Sequence, residues 1–247
     1  MRFALALTAT FLLQAVMSIA AQTISGRDSC VNGGKYSLCQ NLWGSDSAIG
    51  SQESTLINAH DNTVSWSTKY FWVNNFYSVK SFAMVESHIS KGMRLRAVQS
   101  MPTSWSWKYT QRSAGLRANI AYDVWLGAPS SGSAASSVST HEVMVWISNA
   151  GSAQPLGSLA ESQISIGSHK WNFWKGHRKG WGVLTFVTSV GDIHDFNTDL
   201  NQFFVYLVAK QNLSSELFIH RIQAGTEPFV GSATLVTSAY TVSVKTL

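Results

Sequence analysis

The feature that most constrains this chain is a period of two. Short runs in which apolar and polar residues alternate recur from Asn41 to the C-terminus, separated by clusters of Gly, Ser and Asn. Alternation sends successive side chains to opposite faces of a strand, so such runs build sheets with one face buried. One or two strands are expected over Thr63–Trp72, with further strands at Tyr77–Phe82, Leu95–Ser100, Ser104–Tyr109, Arg117–Leu126 and Thr140–Ile147. Others are expected at Ser162–Ile166, Trp171–Trp174, Gly182–Val190, Leu217–Gln223 and Ala233–Lys245. This density of strands and turn signals argues for an antiparallel sandwich or jelly roll.

One stretch departs from the pattern. From Asn197 to Asn212, Leu200, Phe203, Phe204, Leu207 and Val208 recur at helical spacing. A helix is expected there, with Asn197 as N-cap and Lys210 in the last turn, docked on the outer face of a sheet. Its polar face is not basic, which argues against a membrane-surface role. Gly127–Ser139 reads as a flexible loop, and neither a linker nor an internal repeat interrupts the chain, so residues 21–247 are expected to form one domain.

The N-terminus points to the compartment. Arg2 precedes a short apolar run from Phe3 to Val16, too short to span a membrane, and Ser18 and Ala20 stand at the −3 and −1 positions of a cleavage site. Residues 1–20 are therefore expected to be a signal peptide and the protein secreted and extracellular, with no membrane partner. Cys30 and Cys39 suit that compartment as one disulfide closing a short loop, and Asn212-Leu213-Ser214 is a glycosylation sequon. The formal net charge of +5 is scattered apart from Lys170–Lys179. Without a basic stripe or a binding motif, it does not imply nucleic acid.

Candidate chemistry gathers on His141-Glu142-Val143-Met144-Val145-Trp146. Val143, Val145 and Ile147 share a face fit for a core, while Glu142, Met144 and Trp146 share the other. A carboxylate flanked by a thioether and an indole makes a floor for sugar rings, whose C–H faces stack on aromatic faces. The bland alternative is a half-exposed strand with one solvated Glu. Glu227, in Gly225-Thr226-Glu227-Pro228-Phe229, ends an alternating run, with Gly225 and Pro228 expected to break the ladder on either side. Held there, it can be partly desolvated, as a general acid near neutral pH requires; the alternative is an ordinary loop Glu. Two such carboxyls about 5–5.5 Å apart are the machinery of retaining glycoside hydrolysis. Asp123 lies on a strand fit to neighbour that of Glu142 and could hydrogen-bond it. Ten tryptophans make core the expected place for more than half of them, but Trp43, beside turn residues, is expected to stay open. No serine-nucleophile elbow, zinc-protease motif or phosphate loop is present, and the seven His form no metal set.

These residues resemble glycoside hydrolase family 12, secreted microbial endo-β-1,4-glucanases and xyloglucanases. The resemblance runs from Cys39 to Val244 through Asn41-Leu42-Trp43-Gly44, Val79-Lys80-Ser81-Phe82, Pro102-Thr103-Ser104-Trp105-Ser106-Trp107 and Ala118-Asn119-Ile120-Ala121-Tyr122-Asp123. It continues through Glu142–Trp146, Gln154-Pro155-Leu156-Gly157 and Ala224–Gly231. It implies an all-β, concanavalin-like jelly roll of two curved antiparallel sheets with one packed α-helix and an open cleft for a β-1,4-glucan. By motif position it makes Glu142 the nucleophile, Glu227 the acid/base and Asp123 the support of the nucleophile. Asn41 and Trp43 become the sugar platform on the non-reducing side, Met144 and Trp146 the floor, and Pro155 part of the loop crossing the cleft. It implies no metal or cofactor, and a monomer is expected. Where the family carries a Gly-rich turn after the Trp72 strand, this chain has Val73-Asn74-Asn75-Phe76-Tyr77. Ala83 replaces a usual Asn, Asn149–Ala153 replaces a Gly-Gly pair in the crossing loop, and Lys170–Trp181 is unusually basic and Trp-rich.

The leading expectation is a secreted, endo-acting, retaining hydrolase of cellulose-like, mixed-linkage or xyloglucan chains. The rival is a non-catalytic glucan-binding or decoy protein on the same scaffold.

Overall fold

The structure is a computed structural model that describes residues 21–89 and 91–247; the signal peptide expected over residues 1–20 lies outside them. The first elements are β1 (Gln22–Ile24), β2 (Cys30–Gly33), β3 (Tyr36–Cys39), β4 (Ile49–His60), β5 (Thr63–Val73) and β6 (Ala83–Ser87). Next come β7 (Met93–Arg94), β8 (Val98–Ser100), β9 (Pro102–Arg112), β10 (Arg117–Gly127), β11 (Ser139–Ala150) and β12 (Ser158–Ile166). The chain ends with β13 (His169–Arg178), β14 (Trp181–Thr188), β15 (Asp195–Asp199), α1 (Asn201–Gln211), β16 (Phe218–Val242) and β17 (Lys245–Thr246).

Two sheets share β16. Its second half lies in an outer sheet ordered β1-β4-β5-β16-β9-β15, and its first half in an inner sheet ordered β2-β3-β6-β16-β10-β11-β14-β13-β12. The architecture is thus the expected jelly-roll sandwich. All ladders are antiparallel except β11–β14, which is parallel because the chain runs out through the β12–β13 hairpin before returning beside β11. The core between the sheets joins Trp66, Trp105 and Tyr240 of the outer sheet to Tyr122, Val124, Val143, Val145 and Ile222 of the inner one. Helix α1 covers the same face of the inner sheet, with Phe203 against Trp171 and Phe186 at centroid distances of 5.1 and 5.0 Å. The Cys30–Cys39 disulfide ties β2 to β3 at their outer end.

The expected boundaries need four corrections. Tyr77–Phe82 is not a strand: Asn74 and Asn75 both take left-handed backbone (φ 69° and 47°), and the buried Lys80 ammonium donates back to the Asn75 and Ser78 carbonyls at 2.8 and 2.6 Å. The strand begins only at Ala83. Leu95–Ala97 is a turn of 3₁₀ helix ahead of β8. Asn197 lies in β15, and the Asp199 carboxylate instead takes the first helical amide, that of Asn201, at 2.9 Å. Finally, Gly225 and Pro228 do not break the ladder, since β16 is continuous for 25 residues. Gly225 is needed because a Cβ there would lie 2.1 Å from the Ala83 carbonyl oxygen. Pro228 sits where the β10 register shifts, with its own carbonyl accepting from the Lys80 amide at 3.0 Å. Its missing donor therefore costs the ladder little.

Candidate active site

Strands β11, β10 and β16 run side by side and set the site. Across β10, Asp123 faces Met144 on one side and Gln223 on the other; Trp125 is opposite Glu142, and Asn119 is opposite Glu227. Alternation puts Asn119, Asp123 and Trp125 on the face away from the core, beside Glu142, Met144 and Trp146. All eight expected cleft residues, Asn41, Trp43, Asp123, Glu142, Met144, Trp146, Pro155 and Glu227, line one groove of about 740 Å³. Gly44 lets the Trp43 segment lie flat on the Val79–Lys80 backbone, since a Cβ there would come 2.1 Å from the Val79 oxygen. The Gly44 amide donates to the Lys80 carbonyl at 3.0 Å. Trp43 is 42% exposed, as expected, and seven of the ten tryptophans are buried.

Each carboxyl has its own donor. The Trp181 indole N–H donates to Glu142 Oε2 at 2.9 Å. The Trp125 indole N–H donates to Asp123 Oδ2 at 2.9 Å, and the two indoles meet edge-on with centroids 5.2 Å apart. The Asn119 amide donates to Glu227 Oε2 at 2.6 Å, while its oxygen accepts the Glu227 backbone N–H at 2.9 Å. Asp123 makes no hydrogen bond to Glu142, contrary to expectation; its other oxygen, Oδ1, is buried with no partner among the described residues. The register explains this, because Asp123 stands one pleat away from Glu142, at the level of Met144.

Crowding shapes the protonation states. Burial raises Glu227 to about 7, against the pull of the Asn119 hydrogen bond; the Glu142 charge raises it further and Arg178 lowers it. Burial raises Glu142 as well, but the Trp181 hydrogen bond and the Arg178 charge hold it down. Asp123 is pushed well above the usual carboxylate range by burial and by both glutamates. Burial thus raises all three carboxyls, and each meets its own set of neighbouring donors and charges.

Four contributors escape the sequence reading: Asn119, Trp125, Trp181 and Arg178. Asn119 and Trp125 become partners of carboxyls only through the β10 register. Trp181 and Arg178 arrive on the β13–β14 hairpin, where the Arg178 guanidinium also lies 5.4 Å from the Trp43 ring. The basic, Trp-rich character of Lys170–Trp181 was the one visible sign of them. Among the described residues, no group of three or more His, Cys, Asp or Glu side chains is arranged to hold a metal ion, and no helix is long and apolar enough to cross a membrane.

Residues 34–245 match the family described as Glycosyl hydrolase family 12. The xyloglucan-specific endo-beta-1,4-glucanase A of Emericella nidulans is 34% identical over 244 residues, spanning 97% of this chain and 98% of that protein. A probable xyloglucan-specific endo-beta-1,4-glucanase A of Aspergillus terreus is 36% identical over 219 residues, spanning 87% and 84%. Among solved structures, endoglucanase 3 of Trichoderma harzianum superposes with a TM-score of 0.84 at 28% identity, spanning 94% of this chain and 100% of that one. The catalytic domain of Humicola grisea Cel12A, solved with a soaked thio cellotetraose, gives 0.84 at 29% identity, spanning 91% and 99%. With the family matched across most of its length and six of its seven motifs contributing to one groove, the chain belongs to glycosyl hydrolase family 12.

Proposed function

We propose that the groove hydrolyses internal β-1,4-glucosidic bonds with retention of configuration, and that xyloglucan is the preferred substrate. Glu142 attacks the anomeric carbon through Oε1, the oxygen not engaged by Trp181. Glu227, protonated near neutrality, gives its proton to the glycosidic oxygen as that bond breaks. The Glu227 carboxylate then takes a proton from water, which attacks the anomeric carbon and releases the ester oxygen of Glu142. Asp123, whose carboxyl is pushed up by burial and by both glutamates and is oriented by the Trp125 indole, supports the nucleophile from one pleat away.

One observation carries the reading: Glu142 and Glu227 line one groove, each held by its own side-chain donor, the Trp181 indole for Glu142 and the Asn119 amide for Glu227, and burial raises Glu227 to about 7. The preference for xyloglucan rests on the names of the fungal relatives. We further infer a secreted, single-domain protein that acts as a monomer. The Cys30–Cys39 disulfide supports an oxidising compartment.

Reducing-end release from xyloglucan, carboxymethylcellulose and mixed-linkage β-glucan tests the assignment. Wild type should release ends from xyloglucan fastest, and Glu142→Gln should lower the rate by about a thousandfold or more. Near-wild-type hydrolysis by Glu142→Gln would remove it as nucleophile. Glucan binding with no release of ends would favour the non-catalytic alternative.

A further inference from the structure

The Val73–Tyr77 turn, where this chain leaves the family pattern, does more than connect two strands. Tyr77 is 79% exposed and lines the same groove as Trp43, Glu142 and Glu227. A large aromatic left this open is held in place rather than loose. Phe76 meets it edge-on at 5.1 Å. The Arg117 guanidinium lies 4.9 Å from the Phe76 ring, 5.4 Å from the Tyr77 ring and 5.4 Å from the Phe229 ring. Arg117 is itself buried, donates to the Gly151 carbonyl at 3.2 Å, and keeps an Nε–H with no partner among the described residues.

The backbone beneath is fastened as well. Asn75 donates its side-chain amide to the Ser47 carbonyl at 2.6 Å, and the Ser78 amide donates to the Asn75 carbonyl at 2.9 Å. From below, the fully buried Lys80 ammonium binds the Asn75 and Ser78 carbonyls. Because the Trp43 segment hydrogen-bonds to Lys80 and the turn reaches Ser47, the aromatic pair stands on the Trp43 wall of the groove. A pre-positioned ring loses little conformational freedom when a ligand lands on it, which is what a binding platform needs.

We propose that Tyr77, braced by Phe76 and Arg117, is an additional stacking platform for a pyranose ring of the substrate on the Trp43 side of the groove. The proposal rests on the glucanase reading and deepens it, by adding a contact that lengthens the stretch of chain the groove grips. The ring stacked there is either a backbone glucosyl unit or a xylosyl branch; the two share the same C–H face and are separated by the test.

Steady-state kinetics on cellotriose, cellohexaose and a xyloglucan oligosaccharide, with Tyr77→Ala and Tyr77→Phe, test it. Tyr77→Ala should raise KM on the longer ligands by about tenfold, the scale of one lost aromatic contact, with kcat little changed. Cellotriose should respond least, and Tyr77→Phe, which keeps the ring, should restore KM. A rise on both long ligands assigns a backbone unit, and a rise on xyloglucan oligosaccharide alone assigns a branch. Unchanged KM on every ligand overturns the platform while leaving the glucanase reading standing. If wild type cleaves nothing, calorimetric binding of the same ligands decides. Binding weakened by Tyr77→Ala keeps the platform and removes the enzyme reading; no binding at all removes both.

Discussion

The two faces of β11 are buried to nearly the same degree and hold opposite chemistry. On the core face, Val143, Val145 and Ile147 join a layer of aliphatic and aromatic side chains that reaches α1. On the groove face, Met144 and Trp146 are also buried, yet Glu142 shares that face and accepts the Trp181 indole N–H of the β13–β14 hairpin. The core face gains stability by excluding water from apolar area. The groove face uses its aromatic groups to wall in carboxyls, which raises their proton affinity and works against stability whenever they ionise. Low exposure alone therefore does not mark a structural core; the donor set around the buried polar groups does.

The contrast can be broken from either side. The largest effect on stability is expected from the core face. Phe186 is fully buried against Phe173 at 4.8 Å and Phe203 at 5.0 Å, so Phe186→Ala should cost about 3–5 kcal/mol in chemical denaturation. Activity per folded molecule should remain, because no groove residue is touched. A loss of activity without loss of stability would contradict the division of the two faces.

A smaller, pH-dependent change is expected from Glu227. Its folded-state pKa of about 7 exceeds the ordinary 4.5, so between those values the native state keeps a proton that the unfolded chain has released. The stabilisation from that proton is complete below about pH 4.5, falls as pH rises, and is gone above about pH 7, a span of about 3 kcal/mol. Glu227→Gln should therefore melt like wild type at pH 4 and later than wild type at pH 8. Identical shifts at both pH values would show that Glu227 ionises freely in the fold.

The smallest effect sharpens the groove side. Trp181→Phe keeps the ring against Trp125 but removes the N–H donated to Glu142. A lost hydrogen bond to a charged group is worth about 1.5–3 kcal/mol. We expect kcat to fall by about tenfold or more, with the acid limb of the pH–rate profile moved upward as Glu142 holds its proton longer. An unmoved acid limb would mean that the indole positions the hairpin only.

How much of this was legible beforehand differs by element. The alternation of Val143–Ile147 against Glu142–Trp146 gave the two faces of β11 correctly, because side-chain direction in a strand is a local property. The spacing of Leu200, Phe203, Phe204 and Leu207 gave the helix, whereas its cap did not follow. Asn197 falls inside β15, and Asp199, at the end of that strand, is the residue that reaches the first helical amide; only the pairing of β15 with β9 fixed where the strand stops. Gly225 and Pro228 look like strand breakers in sequence. In the fold, the glycine answers a close approach of the Ala83 backbone and the proline falls beside a register shift.

The sequence by itself determined most of the long period-two strands, though not β4 and not the turn at Tyr77–Phe82, together with the amphipathic helix, the two groove glutamates with Asp123, and the motifs that identify the family. Only the tertiary structure decided which groups those carboxyls meet. Glu142 stands at the level of Trp125 and Glu227 at that of Asn119, six residues apart along β10. A flat ladder would hold those levels about 20 Å apart. A register shift at Ile120/Ala121, between those two levels, interrupts the ladder, and the charge of Glu142 acts on Glu227. Trp181 and Arg178 reach the same point from a hairpin some forty residues along the chain. Side-chain direction is set residue by residue and can be read locally; register, bend and crossover depend on the whole sheet closing at once.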